Sequence, residues 1–145
     1  MIAGIGTDVI ETERMRSAIL RHGERFLSHV FTSTEIAAAP IGPARDAYFA
    51  ARWAVKEAVS TALGTGIGTE CAWTDIFVRR GPAGEPIVDL SGAARCTARR
   101  RGIDRIHVSL SHERNLAAAM AVAEQQQGTP VTLPDLAPGG LPPSA

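Results

Sequence analysis

The sequence predicts one small α+β domain followed by a short tail. The chain has 145 residues, of which 45% are hydrophobic and 21% are charged, as in an ordinary globular domain. Segments with the period of a helix alternate with segments that have the period of a strand, and no internal repeat is visible. Their order is strand, three helices, two strands, helix and two strands. This is the order of a mixed α+β domain.

The first predicted element is a strand over residues 2–10. Its apolar pattern is interrupted by Gly4 and Gly6, which lack side chains and allow a close backbone approach by a ligand or a neighbouring strand. Residues 12–22 then show the apolar spacing of a helix, with basic residues on the other face. The pattern therefore predicts a strand that passes directly into a helix.

Two further helices are predicted before the middle of the chain. Thr32 and Glu35 have the spacing of a capping box at the start of a short helix. The longest helical pattern covers residues 45–63, is rich in alanine, and is stopped by Gly64. Local signals in the sequence therefore mark where these helices begin or end.

In the second half of the chain, the sequence predicts two strands, one helix and two further strands. Alternating residues indicate the strands, and turns rich in glycine and proline separate them. The last segment is rich in alanine, but its short length after a tight turn favours a hairpin over a helix. The predicted elements are a strand at 73–80, a turn at 81–86, a strand at 86–90, a helix capped by Ser91 and ending at Arg101, and strands at 105–111 and 116–124.

The composition changes after residue 124. Residues 125–145 hold five of the nine prolines and a single charged residue, Asp135. Such a segment buries too little apolar surface to fold by itself. We therefore expect a domain over residues 1–124 and a disordered or loosely packed tail over residues 125–145.

Charge and cysteine content exclude several classes of protein. Fifteen basic residues balance fifteen acidic ones, so no overall field attracts nucleic acid or a membrane. The two cysteines are too few for a disulfide framework and fit a reducing cytosol. The N-terminal segment lacks the basic start of a signal peptide, and no apolar run approaches the ~20 residues of a membrane span. We expect a soluble, cytoplasmic protein.

Two carboxylates stand in apolar surroundings. Asp8 lies in the second half of the first strand, where aspartate is unfavourable, and Glu57 lies within the long helix between apolar neighbours. Both are candidate functional residues. The structural alternatives are a strand-end cap for Asp8 and a polar stripe facing solvent for Glu57.

A single lysine stands beside one of these carboxylates. Fourteen of the fifteen basic residues are arginines, and Lys56 is the only lysine. A GC-rich genome explains an excess of arginine. Because lysine and arginine are not interchangeable, the position that keeps a lysine is of interest.

A polar face is predicted on the strand over residues 105–111. Its alternation places His107, Ser109 and Ser111 on one side, and His112 follows at the turn. These groups line either a polar site or the solvated face of an antiparallel sheet. The sequence has no hydrolase elbow motif, no closely spaced zinc ligands and no phosphate-binding P-loop.

Three blocks of the sequence together resemble one family. They are Gly4–Glu11 (GIGTDVIE), Phe49–Ala58 (FAARWAVKEA) and His107–His112 (HVSLSH). Each block alone is weakly specific. Their order and spacing resemble the holo-acyl-carrier-protein synthases, the short class of 4′-phosphopantetheinyl transferases, over roughly residues 1–124.

The resemblance implies the family's α+β fold, a trimer with sites at subunit interfaces, and Mg²⁺ as cofactor. It implies transfer of phosphopantetheine from coenzyme A to a serine of an acyl carrier protein, with release of adenosine 3′,5′-bisphosphate. Asp8 and Glu57 match the metal-ligand positions, and with Lys56 they are the expected catalytic residues. Lys56 and Arg52 are expected to attract the phosphates. The residues expected to line the nucleotide are His107, Ser109, Ser111 and His112.

The first helix supplies an expected docking surface, and one position departs from the family. Acyl carrier proteins are acidic, so Arg14, Arg21 and Arg25 are expected to attract them. The family's second lysine, one helical turn after the glutamate, is Thr61 here. This change removes a charge aimed at the phosphates.

Two other functions compete with transfer. One is a non-catalytic family member that binds the nucleotide or the carrier protein. The other is an interaction protein whose five arginines in residues 95–105 bind an acidic partner such as RNA. That segment lacks interleaved aromatic residues, so we expect no nucleic-acid partner. The intact Asp8–Glu57 pair favours the enzyme over these alternatives. For the enzyme, the sequence leaves open whether the carrier protein belongs to fatty-acid synthesis or to a polyketide or peptide pathway.

Overall fold

The computed structural model describes residues 1–126, which form the predicted α+β domain. Its elements are β1 (Ile2–Glu11), α1 (Thr12–Val30), α2 (Ser33–Ala38), α3 (Ala44–Ala62), a 3₁₀ turn (Trp73–Asp75), β2 (Ile76–Arg80), β3 (Pro86–Leu90), α4 (Gly92–Arg100), β4 (Arg105–His112) and β5 (Leu116–Glu124). One antiparallel sheet has the strand order β1-β5-β4, and β2 pairs with β3 in a separate hairpin. No helix within residues 1–126 is both long and apolar enough to span a membrane.

The predicted tail lies almost wholly beyond this part of the chain. Residues 127–145 are outside the described residues. Gln125, the first residue after β5, donates its N–H to the Met1 carbonyl oxygen at 2.8 Å. The amide N–H of Gln126 donates to an Asp104 carboxylate oxygen at 3.0 Å.

Helix α1 is longer than the sequence predicts because it continues past a glycine. The predicted helix ends at residue 22, whereas the observed one ends at Val30. Gly23 lies between its two segments with φ 55° and ψ −137°, a conformation that other residues rarely adopt. Beyond it, Phe26 stacks on Trp53 of α3 with ring centroids 6.0 Å apart. The glycine therefore redirects the chain so that the second segment packs on α3.

The predicted capping box and the long helix are both confirmed. Thr32 Oγ1 accepts the N–H of Glu35, and a Glu35 carboxylate oxygen accepts the N–H of Thr32. Helix α3 runs over Ala44–Ala62, within one residue of its predicted bounds. Gly64 follows it with φ 80°, the left-handed conformation in which many helices end.

Hydrogen bonds to the Asp75 carboxylate explain why two predictions differ from the structure. The strand predicted at 73–80 begins with a 3₁₀ turn, because the Asp75 carboxylate accepts the N–H of Ala72 and holds these residues in a turn. The same carboxylate accepts the N–H of Ala94 in the first turn of α4. Ser91, the predicted cap of that helix, makes no capping hydrogen bond with its side chain.

The inner face of the three-stranded sheet packs against α3. Buried alanines of β5 and two glycines of β1 face the helix. A Cβ on Gly4 would collide with the carbonyl oxygen of Ala62, and a Cβ on Gly6 would collide with that of Ala58. The close approach predicted for these glycines is therefore real, but the neighbour is a helix rather than a ligand or a strand.

The outer face of the same sheet carries several exposed apolar residues on β1 and β5. On β1, Ile5 and Val9 are 58% and 62% exposed, and on β5, Leu116 and Met120 are 45% and 48% exposed. The strand register places all four on one side of the sheet. A large exposed apolar patch of this kind is typical of an interaction surface.

Gly6→Ala is expected to destabilise the domain, because the added methyl group would push β1 away from the Ala58 carbonyl. Such overpacking costs roughly 1–3 kcal/mol or more. Gly68→Ala is the matched control, since no atom lies within 4 Å of its Cβ position and its φ is not positive. Chemical denaturation of both variants measures the difference. Equal free energies of unfolding would contradict the close contact.

Candidate active site

Asp8 of β1 and Glu57 of α3 form a pair of partly buried carboxylates. Burial raises the pKa of Asp8, although a hydrogen bond from the Val9 backbone and the charge of Arg14 oppose this effect. Burial also raises the pKa of Glu57, and the negative charge of Asp8 raises it further. The two predicted carboxylates therefore lie close enough to repel each other.

This pair has the chemistry of a site for a divalent cation. Oxygen Oδ2 of Asp8 is buried and has no hydrogen-bond partner within residues 1–126, although buried polar atoms are normally paired. Mg²⁺ takes carboxylate and phosphate oxygens together with water. No group of three or more His, Cys, Asp or Glu side chains converges in this part of the chain. The protein would therefore supply two carboxylates and leave other positions to substrate and water.

Lys56 does not face a phosphate site, which corrects its expected role as a catalytic and phosphate-binding residue. Its side chain is 0% exposed. The ammonium group donates to Glu35 Oε1 at 2.7 Å and to the carbonyl oxygens of Val30 at 2.8 Å and Trp73 at 3.1 Å. These bonds use all its N–H donors. The expectation failed because neighbouring positions on a helix point about 100° apart, so Lys56 points into the core and Glu57 does not.

The partner of Lys56 is Glu35, which the sequence assigns only to a helix cap. Glu35 is 1% exposed. Its carboxylate also accepts the backbone N–H of Thr32 at 2.8 Å and of Val78 at 3.0 Å. The ion pair therefore joins α2, α3, β2 and the end of α1. The lone lysine is the one sequence signal that points to this network.

Arg52, one turn before Lys56 on α3, lines a cleft that carries several basic residues together with Glu35. The cleft has a volume of about 760 Å³ and lies between α2, α3 and the hairpin of β2 and β3. The guanidinium carbon of Arg52 lies 3.6 Å from the centre of the Tyr48 ring, and Nε is buried without a partner among the described residues. Arg79, Arg80 and His112 also line the cleft. The arginine side chains are suited to phosphate groups, although Arg79 already pairs with Asp89 at 2.6 Å.

The cleft and the carboxylate pair are separate within one chain. Neither Asp8 nor Glu57 lines the cleft. Arg52 precedes Glu57 by five positions, so the two side chains leave α3 about 140° apart. We therefore do not expect one copy of the chain to bind the same nucleotide with both its cleft and its carboxylate pair.

The other predicted nucleotide contacts lie in two places. His107, Ser109 and Ser111 are exposed on the outer face of the sheet, away from the cleft. Nε2 of His107 lies 2.7 Å from Oε2 of Glu124, and this contact lowers the pKa of Glu124. His112, by contrast, lines the cleft.

The three candidate docking arginines are exposed on α1. Arg14 and Arg21 line the same shallow cavity of about 330 Å³, so they share a face as predicted. Arg25 lies beyond the break at Gly23. Its side chain therefore belongs to the second segment of the helix.

Comparison with known proteins decides the family. A family model described as the 4′-phosphopantetheinyl transferase superfamily matches residues 4–124. The chain is 46% identical over 126 residues to a holo-[acyl-carrier-protein] synthase of Desulforudis audaxviator, an alignment that covers 85% of this chain and 93% of that protein. The chain belongs to the 4′-phosphopantetheinyl transferase superfamily.

Solved structures of this family share the fold. A holo-[acyl-carrier-protein] synthase from Neisseria meningitidis matches with a TM-score of 0.80 and 31% identity, over 86% of this chain and 100% of that one. A synthase from Bacillus anthracis in complex with CoA (3′,5′-ADP) matches with a TM-score of 0.73 and 35% identity, over 86% and 98% of the two chains. The resemblance is confirmed, and the chain is an enzyme of this transferase family.

Breaking the buried ion pair is expected to destabilise the transferase. Lys56→Met leaves the Glu35 carboxylate buried without its cation, and losing one partner of such a pair costs about 3–5 kcal/mol. The double variant Lys56→Met/Glu35→Leu is expected to recover part of this loss, and chemical denaturation measures both. A Lys56→Met protein with wild-type stability and a raised KM for coenzyme A would instead support contact with phosphate.

Proposed function

We propose that the chain transfers 4′-phosphopantetheine from coenzyme A to a serine of an apo acyl carrier protein and releases adenosine 3′,5′-bisphosphate. The observation that carries this proposal is the Asp8–Glu57 pair with its unpaired buried oxygen. Relatives named holo-[acyl-carrier-protein] synthase support the acceptor, and the Bacillus anthracis complex with CoA supports the donor.

Asp8 and Glu57 would hold Mg²⁺ in this function. Bound there, the ion would neutralise charge on the diphosphate of coenzyme A. The support comes from the donors themselves, since two carboxylates that repel each other are stabilised by a shared cation.

The chemical step breaks the phosphoanhydride bond of coenzyme A and forms a phosphodiester bond to serine. The serine Oγ forms a bond to the phosphorus of the phosphopantetheine group, while the bond from that phosphorus to the oxygen of adenosine 3′,5′-bisphosphate breaks. A carboxylate oxygen of the Asp8–Glu57 pair accepts the hydroxyl proton of the serine. The leaving group departs as a phosphate.

The nucleotide half of coenzyme A is proposed to bind the cleft of a second copy of the chain. Arg52 supplies a cation there and His112 lines the same cleft, while the first copy supplies the carboxylates, because the cleft and the carboxylates do not meet in one copy. The outer sheet face is the proposed contact between copies, and the family resemblance implies three of them. The residues of this face are Ile5, Val9, Leu116 and Met120, with His107, Ser109 and Ser111 beside them.

The exposed arginines of α1 are the proposed docking surface for the carrier protein. Burial raises the pKa of Asp8 and the charge of Arg14 opposes this rise, so Arg14 lies near the carboxylate pair. An acidic carrier bound there is within reach of the site. Arg21 and Arg25 extend the basic surface along the helix and its second segment.

Mass spectrometry of the carrier protein tests this function. With coenzyme A and Mg²⁺, the wild type is expected to add one phosphopantetheine group to the apo carrier. Asp8→Ala and Glu57→Ala are each expected to lower the rate by about 10²–10³-fold, because each removes an oxygen ligand of the Mg²⁺ that is proposed to stabilise the transition state. Arg99→Ala, at an exposed arginine of α4, is the control.

Two results would contradict these assignments. A folded wild-type protein that leaves the carrier mass unchanged would overturn the transferase function and favour a binding role. Full activity of either alanine variant would remove that residue from the proposed metal site.

Met120→Glu is expected to separate the copies and to abolish transfer, because it places a charge in an apolar contact. Ile41→Glu is the control, since Ile41 is 97% exposed and lies outside the sheet. Light scattering measures the molecular mass of each variant. A wild type that is monomeric and still transfers the group at the full rate would contradict the shared site.

A further inference from the structure

The ring of Tyr48 covers one face of the Arg52 guanidinium group in the cleft. The guanidinium carbon lies 3.6 Å from the ring centre, and both side chains line the cleft. A separation this short requires the two planar groups to lie roughly face to face, because an edge-on guanidinium group would bring its nitrogen atoms too close to the ring. The N–H donors at the edge of the group are therefore directed past the ring and not at it.

Tyr48 is itself held at two points. Its hydroxyl group donates to the backbone carbonyl oxygen of Glu35 on α2 at 2.6 Å. Its ring makes an edge contact with Phe49, with ring centroids 5.1 Å apart and planes at 84°. Phe49 is 0% exposed and belongs to the core. The ring of Tyr48 is therefore a fixed surface on which a flexible side chain can rest.

Arg52 lacks both a full set of acceptors and a full balance of charge. Its Nε is buried and has no hydrogen-bond partner among residues 1–126. Burial lowers the pKa of Arg52, and the negative charge of Glu35 offsets this effect only in part. A phosphate group in the cleft would supply oxygen acceptors and an opposing charge.

We propose that Tyr48 is a positioning residue, which holds the Arg52 guanidinium group in the orientation that binds a phosphate group of coenzyme A. This inference rests on the proposed function, which assigns the nucleotide half of coenzyme A to this cleft. An arginine that is fixed before the ligand arrives loses less conformational freedom on binding. Tyr48 also joins α3 to α2, but that role alone changes stability and does not act through Arg52.

Isothermal titration calorimetry of coenzyme A into the full chain with Mg²⁺ tests the proposal. Tyr48→Leu is expected to raise the Kd about three- to tenfold, because an arginine that is free to move has to be ordered when the phosphate binds. Tyr48→Phe keeps the ring and is expected to keep a Kd close to that of the wild type, although it loses the hydrogen bond to Glu35 and melts lower. Tyr48→Met is a second variant without the ring. Tyr48 is only partly buried, so these variants are expected to fold.

A double-mutant cycle shows whether Tyr48 acts through Arg52. Arg52→Gln is expected to raise the Kd about tenfold or more, since it removes a charge-assisted contact. Tyr48→Leu introduced into the Arg52→Gln protein is expected to raise the Kd no further, because the group that the ring positions is gone.

Three results would overturn the role of Tyr48 and leave the transferase function intact. The first is a wild-type Kd for Tyr48→Leu and Tyr48→Met. The second is the same rise in Kd for Tyr48→Leu with Arg52 and with Gln at position 52, because Tyr48 would then act through the shape of the cleft. The third is a Kd for Tyr48→Phe as high as that of Tyr48→Leu, because the ring would then not be the positioning group.

Two further results concern the proposed function. A wild-type Kd for Arg52→Gln would overturn the role of Arg52 and, with it, that of Tyr48. A folded wild type that does not bind coenzyme A would overturn the proposed function itself.

Discussion

The packing of the β1 backbone directly on α3 is the constraint on which the site depends. Gly4 and Gly6 have no side chains, so the strand meets the helix backbone itself. This contact places Asp8 near Glu57 and leaves one carboxyl oxygen buried without a donor. Neutral side chains at these two positions would oppose folding less than the carboxylates do, because two partly buried charges of the same sign destabilise the folded state. The unfavourable arrangement lies where a divalent cation is proposed to bind.

Helix α3 carries its functional groups on two sides, because Arg52 and Lys56 lie one turn apart on one side and Glu57 lies on another. Glu57 faces Asp8, Lys56 points into the core, and Arg52 lines the cleft. A buried ion pair adds little net stability over apolar side chains of similar size, but it fixes the elements that it joins. Glu35 lies on α2 and accepts a hydrogen bond from β2, and both elements form walls of the cleft. The buried pair therefore holds the cleft in shape around Arg52.

Most of the fold could be predicted from local signals in the sequence. Contacts between residues far apart in the chain could not be predicted in this way. Asp8 and Glu57 stand out because a charge in an apolar segment is costly without a partner. Lys56 is unusual in the sequence, but its partner Glu35 lies 21 residues away, and only the packing of the helix shows which way the lysine points. The effect of Gly23 also depends on distant contacts. A glycine ends a helix when the following segment has no surface to pack on, and it redirects the helix when that segment does pack.

The melting temperature in EDTA and in Mg²⁺ tests most directly whether Asp8 and Glu57 form one cation site. In EDTA at neutral pH, Asp8→Asn and Glu57→Gln are expected to melt above the wild type, because a raised carboxyl pKa means that ionisation opposes folding. This difference is expected to vanish below the ordinary pKa values of 3.8 and 4.5, where the carboxyls are protonated in both states. Mg²⁺ is expected to stabilise the wild type and neither variant. Variants that melt lower in EDTA, or a wild type that Mg²⁺ does not stabilise, would contradict the shared site.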